Sequence, residues 1–114
     1  MEMKVVREGE DLTYVALVGR MDVGGVEQIE TRFVAYITSR SKPVIVDISQ
    51  VPFMASIGMR VILRVVKALK PIGAKLVVLK PQPLVEEALR IACLDQVFGI
   101  AHDEQKALEL LRGA

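Results

Sequence analysis

Apolar residues open the chain in two short runs that are separated by a polar segment. The first run contains Val5 and Val6, and the second, residues 12–19, is rich in β-branched and aromatic residues. The segment between them, residues 8–11, is polar and includes a glycine. Two such runs joined by a short glycine-containing segment predict a β-hairpin.

The spacing of apolar residues changes after the hairpin. Beyond residue 25 they recur at intervals of three or four, which predicts an amphipathic helix that ends near residues 39–41. Asp22 precedes this pattern and is a residue type that caps helix N-termini. The predicted apolar face of the helix consists of Val26, Ile29, Phe33, Tyr36 and Ile37.

The middle of the chain has the pattern of a strand, a helix and a second strand. Residues 43–48 form a short apolar run, typical of a strand that is buried on both faces. A broad apolar stripe begins at Ser56 and stops at residues 70–73, where proline and glycine end a helix. Residues 74–79 are apolar again. Because βαβ crossovers are right-handed, the two strands should be parallel, with residues 43–48 at the centre of the sheet.

The last third of the chain predicts a helix, a short edge strand and a terminal helix. The short strand is expected at residues 96–100, and Asp103 and Glu104 should start the terminal helix. The first of these helices opens at residues 81–83, and its apolar residues are Leu84, Val85, Ala88, Leu89, Ile91 and Ala92. The sequence therefore predicts an α/β fold of one domain, residues 1–114. Its mixed sheet of four to five strands has a hairpin start and a parallel centre, and about four helices accompany it.

Composition narrows the class of protein. The 114 residues are 52% hydrophobic and 25% charged, as in an ordinary globular domain. Fifteen basic and fourteen acidic residues leave a net charge of +1, and only two Tyr and three Phe offer aromatic rings. A nucleic-acid binder needs a basic surface or stacking rings, so neither DNA nor RNA is an expected partner.

The remaining composition argues against metal sites, disulfides and membrane insertion. One cysteine, Cys93, cannot form an internal disulfide or a zinc ribbon, and His102 is the only histidine. No apolar run approaches the length of about 20 residues that spans a bilayer, and no signal peptide is evident. We expect a cytoplasmic protein without cofactor or metal, and no set of residues suggests an enzyme active site.

Ser56 is the one hydroxyl in an apolar run, Phe-Met-Ala-Ser-Ile-Gly-Met-Arg, at residues 53–60. It lies at the start of a helix and beyond the carboxyl end of a strand, where ligand and partner sites of α/β sheets tend to lie. One interpretation is a simple N-cap. The alternative is a phosphorylation site, because the N-terminus of a helix accommodates a phosphate.

A basic face follows Ser56 along its helix. Ser56, Arg60, Arg64 and Lys67 are spaced by four, four and three residues, so they share one face opposite the apolar stripe. This face is either a solvated surface or a docking edge for an acidic partner, and Arg60 lies within reach of a phosphate on Ser56.

Five other positions have simpler interpretations. Gly24 and Gly25 suggest a loose first turn of the helix that follows Asp22, and Asp47 is a candidate for orienting the Ser56 loop through a hydrogen bond. Cys93 is predicted to be a small core residue, and His102 a surface residue near a helix start.

The central sequence resembles a known family. Residues 44–63, VIVDISQVPFMASIGMRVIL, followed by IGAKLVVL, resemble the core of the STAS-domain family of anti-sigma factor antagonists. GRMD at residues 19–22 is similar to the family's motif after the second strand, and LDQVFGIAHDEQKALELL resembles its final strand and helix. The resemblance covers nearly the whole chain and implies the STAS fold.

The resemblance implies a partner-switching role in transcription regulation. Family members bind an anti-sigma factor that is also a serine kinase and thereby release a sigma factor. Phosphorylation of the loop serine, here Ser56, breaks the complex, and a serine phosphatase restores it. The residues predicted to contact the partner are Asp22, Met54, Ala55, Ile57, Gly58, Met59, Arg60 and Arg64.

The sequence departs from the family pattern at three positions. Ala55 replaces the usual Asp, Ile57 replaces Ser or Thr, and Arg60 replaces a small residue. These departures leave a second hypothesis open, in which the chain is a STAS scaffold without phosphorylation or a subunit of another assembly, for example in lipid transport.

Overall fold

A five-stranded mixed sheet forms the centre of the computed structural model, which describes residues 1–113. The strands are β1 Glu2–Glu8, β2 Thr13–Val18, β3 Val44–Gln50, β4 Leu76–Leu79 and β5 Gly99–Ala101. They lie in the order β1-β2-β3-β4-β5. β1 and β2 are antiparallel, as the predicted hairpin requires, and the other neighbouring pairs are parallel, including the predicted parallel pair β3 and β4. The predicted domain also included Ala114, which lies outside the described residues.

Four α-helices accompany the strands in residues 1–113, and the predicted mixed α/β architecture is therefore confirmed. They are α1 Val23–Arg40, α2 Ser56–Leu69, α3 Pro83–Ile91 and α4 Glu104–Arg112. Two short 3-10 turns, Lys70–Ile72 and Leu94–Gln96, follow α2 and α3. None of the helices in the described part of the chain is long and apolar enough to span a membrane.

Side-chain alternation along β3 divides the core into two layers. Val44, Val46 and Ile48 pack with buried residues of α1, α2 and α3. Ile45 points to the opposite face and packs with Ala107 of α4. This division explains why the sequence of β3 is almost continuously apolar.

The structure corrects several predictions near the end of the chain. The last strand begins at Gly99, because Gln96 belongs to the preceding 3-10 turn. Cys93 is exposed and has a left-handed backbone with φ 60°, so it is not a core residue. Leu84 and Ile91, two of the apolar residues of the predicted helix, are each 76% exposed. The core side of this short helix presents only Val85 and Leu89 as buried residues.

The interpretation of Gly25 as part of a loose turn is also wrong. A Cβ atom at Gly25 would lie 2.0 Å from the backbone oxygen of Arg20, so the glycine permits close packing of two backbone segments. Gly24 is different, since the nearest atom to a Cβ added there would be Asp22 Oδ1 at 3.8 Å.

Candidate partner-binding edge around Ser56

Ser56 is the first residue of α2, and its side chain is exposed. The N-cap of the helix is Ala55, with φ −82° and ψ 169°, and no side chain caps the helix there. The N-cap interpretation of Ser56 is therefore wrong, because the serine lies one residue inside the helix. Its hydroxyl lies at the edge of the sheet where the parallel strands have their carboxyl ends. It is beside the first turn of α2, whose N–H groups have no partner within the helix.

Backbone hydrogen bonds hold the loop before Ser56 in place. Met21 and Met54 form an isolated parallel bridge. The Met21 N–H donates to the Phe53 carbonyl oxygen at 2.8 Å, and the Ala55 N–H donates to the Met21 carbonyl oxygen at 2.9 Å. The residues before α1 and the residues before α2 thus form one continuous edge, with Asp22 and Ser56 both on it.

Gly58 allows α2 to pack closely against this edge. A Cβ at Gly58 would lie 3.0 Å from Met21 Cβ and 3.1 Å from Met54 Cγ. Gly58 and Met54 are themselves buried. Among the predicted partner-binding residues, these two position the loop, and their burial leaves them inaccessible to a partner.

The other predicted residues lie at the surface of α2 and around its start. Ala55, Ile57 and Met59 are half-buried, whereas Arg60 and Arg64 are exposed. Arg64 donates to a carboxylate oxygen of Glu30 on α1 and forms an ion pair with it. Arg60 has no ion-pair partner within residues 1–113, so the two arginines are not equivalent.

A shallow groove separates α1 from α2 beside these arginines. Its volume is about 240 Å³, and it is lined by Glu30, Ile57, Arg60, Val61 and Arg64. Both apolar and charged side chains therefore line the groove, a mixture that also occurs at protein-binding surfaces.

Asp22 caps α1 as predicted. Its Oδ1 accepts a hydrogen bond from the Gly25 N–H at 2.8 Å. This bond, with the nearby Arg20 side chain, lowers the pKa of the Asp22 carboxyl below its ordinary value. The carboxylate is therefore charged at neutral pH, at the same edge as Ser56.

A contact between Arg20 and Phe53 was not found from the sequence. The Arg20 guanidinium lies over the Phe53 ring, 4.5 Å from its centroid, and Arg20 Nε is 3.5 Å from Asp22 Oδ2. Arg20 lies in the GRMD motif and Phe53 in the apolar run that contains Ser56, but no local sequence pattern connects positions so far apart in the chain. Arginine and aromatic residues are both enriched at protein interfaces.

Asp47 does not orient the Ser56 loop, contrary to the hypothesis made from the sequence. Its Oδ1 accepts a hydrogen bond from the Ser49 N–H at 2.8 Å. The Ser49 carbonyl oxygen in turn accepts from Gln82 Nε2 at 3.0 Å. The end of β3 is therefore tied to the start of α3.

No cluster of three or more potential metal-ligating side chains occurs in the described chain.

Comparison with known proteins identifies the family. The sequence matches the family model described as the STAS domain over residues 3–107, which is most of the chain. The chain belongs to the STAS domain family. This STAS domain is also 26% identical over 113 residues to BtrV of Bordetella bronchiseptica, which is named as a candidate anti-sigma factor antagonist. The alignment covers 98% of this chain and 97% of BtrV.

Solved structures share the fold of this STAS domain. A candidate anti-sigma factor antagonist from Thermotoga maritima has a TM-score of 0.83 at 18% identity, over 98% of this chain and 94% of that one. The anti-sigma factor antagonist SpoIIAA in its unphosphorylated form has a TM-score of 0.79 at 21% identity, over 99% and 98%. SpoIIAA of Bacillus in its phosphorylated form has a TM-score of 0.70 at 19% identity, over 95% and 97%. The predicted STAS fold is thereby confirmed.

Proposed function

We propose that this STAS domain is an anti-sigma factor antagonist that is switched by phosphorylation of Ser56. In this proposal it binds an anti-sigma factor with serine kinase activity in the cytoplasm and so releases a sigma factor. The observation that carries the proposal is the exposed Ser56 hydroxyl at the first residue of α2. Relatives named as anti-sigma factor antagonists, one of them solved with and without phosphate, support it.

The proposed contact surface surrounds Ser56. Ala55, Ile57 and Met59 contribute partly exposed apolar atoms, and Arg60 and Arg64 contribute charge. Asp22 lies at the other side of the same edge, while Met54 and Gly58 hold the loop in position. When Ser56 is unmodified, this edge presents both apolar and charged groups, and it can bind a partner surface of the same mixed chemistry.

The phosphoryl transfer would be carried out by the kinase. The Ser56 Oγ attacks the γ-phosphorus of ATP, the bond to the β-γ bridging oxygen breaks, and ADP leaves. The hydroxyl proton passes to a base of the kinase, because Ala55 supplies no carboxylate beside Ser56. A serine phosphatase hydrolyses the phosphoserine to return the domain to its binding state.

Electrostatics explains why the phosphate would break the complex. It carries a charge of about −1.5 to −2 at neutral pH, and leaving it unpaired in an interface costs several kcal/mol. A loss of roughly 3 kcal/mol corresponds to about a hundredfold in affinity. In the free domain the phosphate is tolerated, because it lies at the N-terminus of α2.

The test is incubation of the domain with the candidate kinase and ATP, followed by mass spectrometry of its peptides. We expect one phosphate on Ser56 and none in Ser56→Ala. Ser41→Ala is the matched control, since Ser41 is also exposed but lies beyond the opposite end of α1. Phosphate on another residue, or none where the same kinase modifies a standard antagonist, contradicts the proposal.

A second candidate function is a constitutive STAS scaffold or a subunit of another complex, such as one for lipid transport. Two observations favour it: Ala55 lacks the carboxylate usual in the switched family, and Ile57 removes a second hydroxyl. The two candidates differ in partner binding by Ser56→Glu. Unchanged affinity indicates the scaffold, and a loss of affinity indicates the switch.

A further inference from the structure

Helix α3 presents two large apolar side chains to solvent. Leu84 and Ile91 are each 76% exposed, and Ala88 lies between them on the same face of the helix. Residues spaced by four and three positions form a continuous stripe along a helix. Because Val85 and Leu89 already provide the contact of α3 with the core, this stripe is not needed for folding.

The stripe continues onto the loop before α2. Phe53 is 40% exposed, and a cleft of about 220 Å³ between this loop and α3 is lined by Pro52, Phe53, Met54, Leu84, Val85 and Ala88. We refer to Phe53, Leu84, Ala88 and Ile91 as the α3 surface. From Leu84 to Ile91 it extends about 10 Å, or two helical turns. A contiguous exposed apolar surface of this kind marks an interaction site.

Acidic side chains dominate the rim of the α3 surface. Two cations lie there among the described residues: Arg90 pairs with Glu86 at 2.7 Å and Asp95 at 3.4 Å, and Arg20 lies over the Phe53 ring with its Nε 3.5 Å from Asp22 Oδ2. Glu87 is exposed and forms no ion pair within the described residues. Four carboxylates (Glu86, Glu87, Asp95 and Asp22) against two guanidinium groups leave the rim negative, whereas the exposed face of α2 carries Arg60 and Lys67.

The position of Glu87 argues against a second copy of this chain as the occupant. Glu87 is adjacent to Ala88, the middle of the stripe, so two α3 helices packed antiparallel would bring their Glu87 side chains together. Like charges at such a contact disfavour association. A basic partner instead complements both the rim and the unpaired Glu87.

We propose that the α3 surface is a second docking site, which binds an amphipathic helix of a partner protein with basic residues beside its apolar face. Grooves and stripes of this length are recognised by apolar residues at successive turns of a partner helix. The site does not include Ser56 or the basic face of α2, although its residue Phe53 lies in the loop that precedes Ser56.

The test uses the full chain labelled with ¹⁵N and a synthetic helical peptide that carries leucines on one face and flanking lysines. We expect saturable amide shifts at Phe53 and along α3. A peptide with glutamates in place of the lysines should bind at least about tenfold more weakly, and Glu87→Lys, which leaves equal numbers of acidic and basic groups at the rim, should abolish most of this preference.

Substitutions of the stripe test the apolar contribution. Leu84→Ser and Ile91→Ser should each weaken binding of the lysine peptide by about tenfold, because each removes one buried anchor. Both side chains are exposed in the free domain, so thermal melts should be unchanged. Lys67→Ala, an exposed position on α2, is the matched control and should bind as the unmodified chain does.

Four outcomes would overturn the proposal: no saturable shifts, shifts on α2 instead of α3, equal affinity for the lysine and glutamate peptides, or dimerisation through the stripe. The last is measured by sedimentation equilibrium. A dimer that is lost in Ile91→Ser would assign the α3 surface to a second copy of the chain.

Discussion

Met21 and Met54 lie side by side in a parallel bridge that joins the residues before α1 to the loop before α2. The hydrogen bonds from Met21 to Phe53 and from Ala55 to Met21, at 2.8 and 2.9 Å, make this loop an extension of the sheet edge. Ser56 therefore follows a segment with fixed backbone geometry. The geometry of this loop therefore depends on the position of the residues before α1.

Gly25→Ala should destabilise the domain, whereas Gly24→Ala should not. A Cβ at position 25 would meet the Arg20 carbonyl oxygen at 2.0 Å, so the segment that leads into Met21 must move. Overpacking of this kind costs about 1–3 kcal/mol or more. At position 24 no atom is closer than 3.8 Å, and replacing a helical glycine stabilises by roughly 0.5–1 kcal/mol. Urea denaturation of both variants measures the difference, and equal stabilities would contradict the prediction.

Ala55→Asp should stabilise the domain by about 1 kcal/mol, because Asp can accept a hydrogen bond from the first turn of α2. The backbone at Ala55 already has the extended conformation of an N-cap, but its side chain makes no capping bond. Chemical denaturation at neutral pH gives the free energy of unfolding. Ala55→Asn separates the hydrogen bond from the charge, and Ala55→Val is a control that adds volume without a capping oxygen. Asp and Val variants of equal stability would contradict the prediction.

Arg60 should shield a negative charge at position 56. The two residues are one helical turn apart, and Arg60 has no competing ion pair within residues 1–113. In binding to the proposed anti-sigma kinase, Ser56→Glu should lose roughly tenfold in affinity. The affinity of the double variant Ser56→Glu/Arg60→Ala for this partner should be about twofold lower than the combined effects of the two single substitutions predict. This coupling is the size expected for an exposed i,i+4 pair.

Isothermal titration calorimetry of the four proteins in this double-mutant cycle measures the coupling. Arg64→Ala is the matched control, because Arg64 is already paired with Glu30. Strictly additive effects of Ser56→Glu and Arg60→Ala would show that Arg60 does not shield the site.

Glu86 should contribute to the loss of stability in acid. Its hydrogen bond with His102, at 2.7 Å, and its ion pair with Arg90 lower the pKa of the Glu86 carboxyl below 4.5. The unfolded chain therefore binds a proton at Glu86 before the folded chain does as the pH falls. This contribution to stability is present above pH 4.5 and is lost as the pH decreases through the lower pKa of the folded state.

The free energy of unfolding, measured from about pH 3 to about pH 7, tests this expectation. Glu86→Gln should remove part of the acid dependence of stability, and Glu87→Gln is the control at the next position. Identical pH profiles for Glu86→Gln and the unmodified chain would contradict the role assigned to Glu86.

Local patterns in the sequence determined most of the fold. The two short apolar runs within residues 5–19 predicted the hairpin, and the apolar run of residues 43–48 predicted the central strand. These predictions succeed because side-chain periodicity of two or 3.6 reports directly which face of an element is buried. Ser56 was also found from the sequence, since a hydroxyl at a helix start is visible in the motif and in the family resemblance.

Only the tertiary structure decided how distant segments meet. It placed Arg20 on Phe53, paired Arg64 with Glu30, and directed Asp47 to the Ser49 N–H instead of the Ser56 loop. It also left Leu84 and Ile91 in solvent, although their spacing suited a core-facing helix. The physical reason is that periodicity describes one element at a time. The partner of a side chain, and whether an apolar face finds a neighbour, depend on how elements pack in three dimensions.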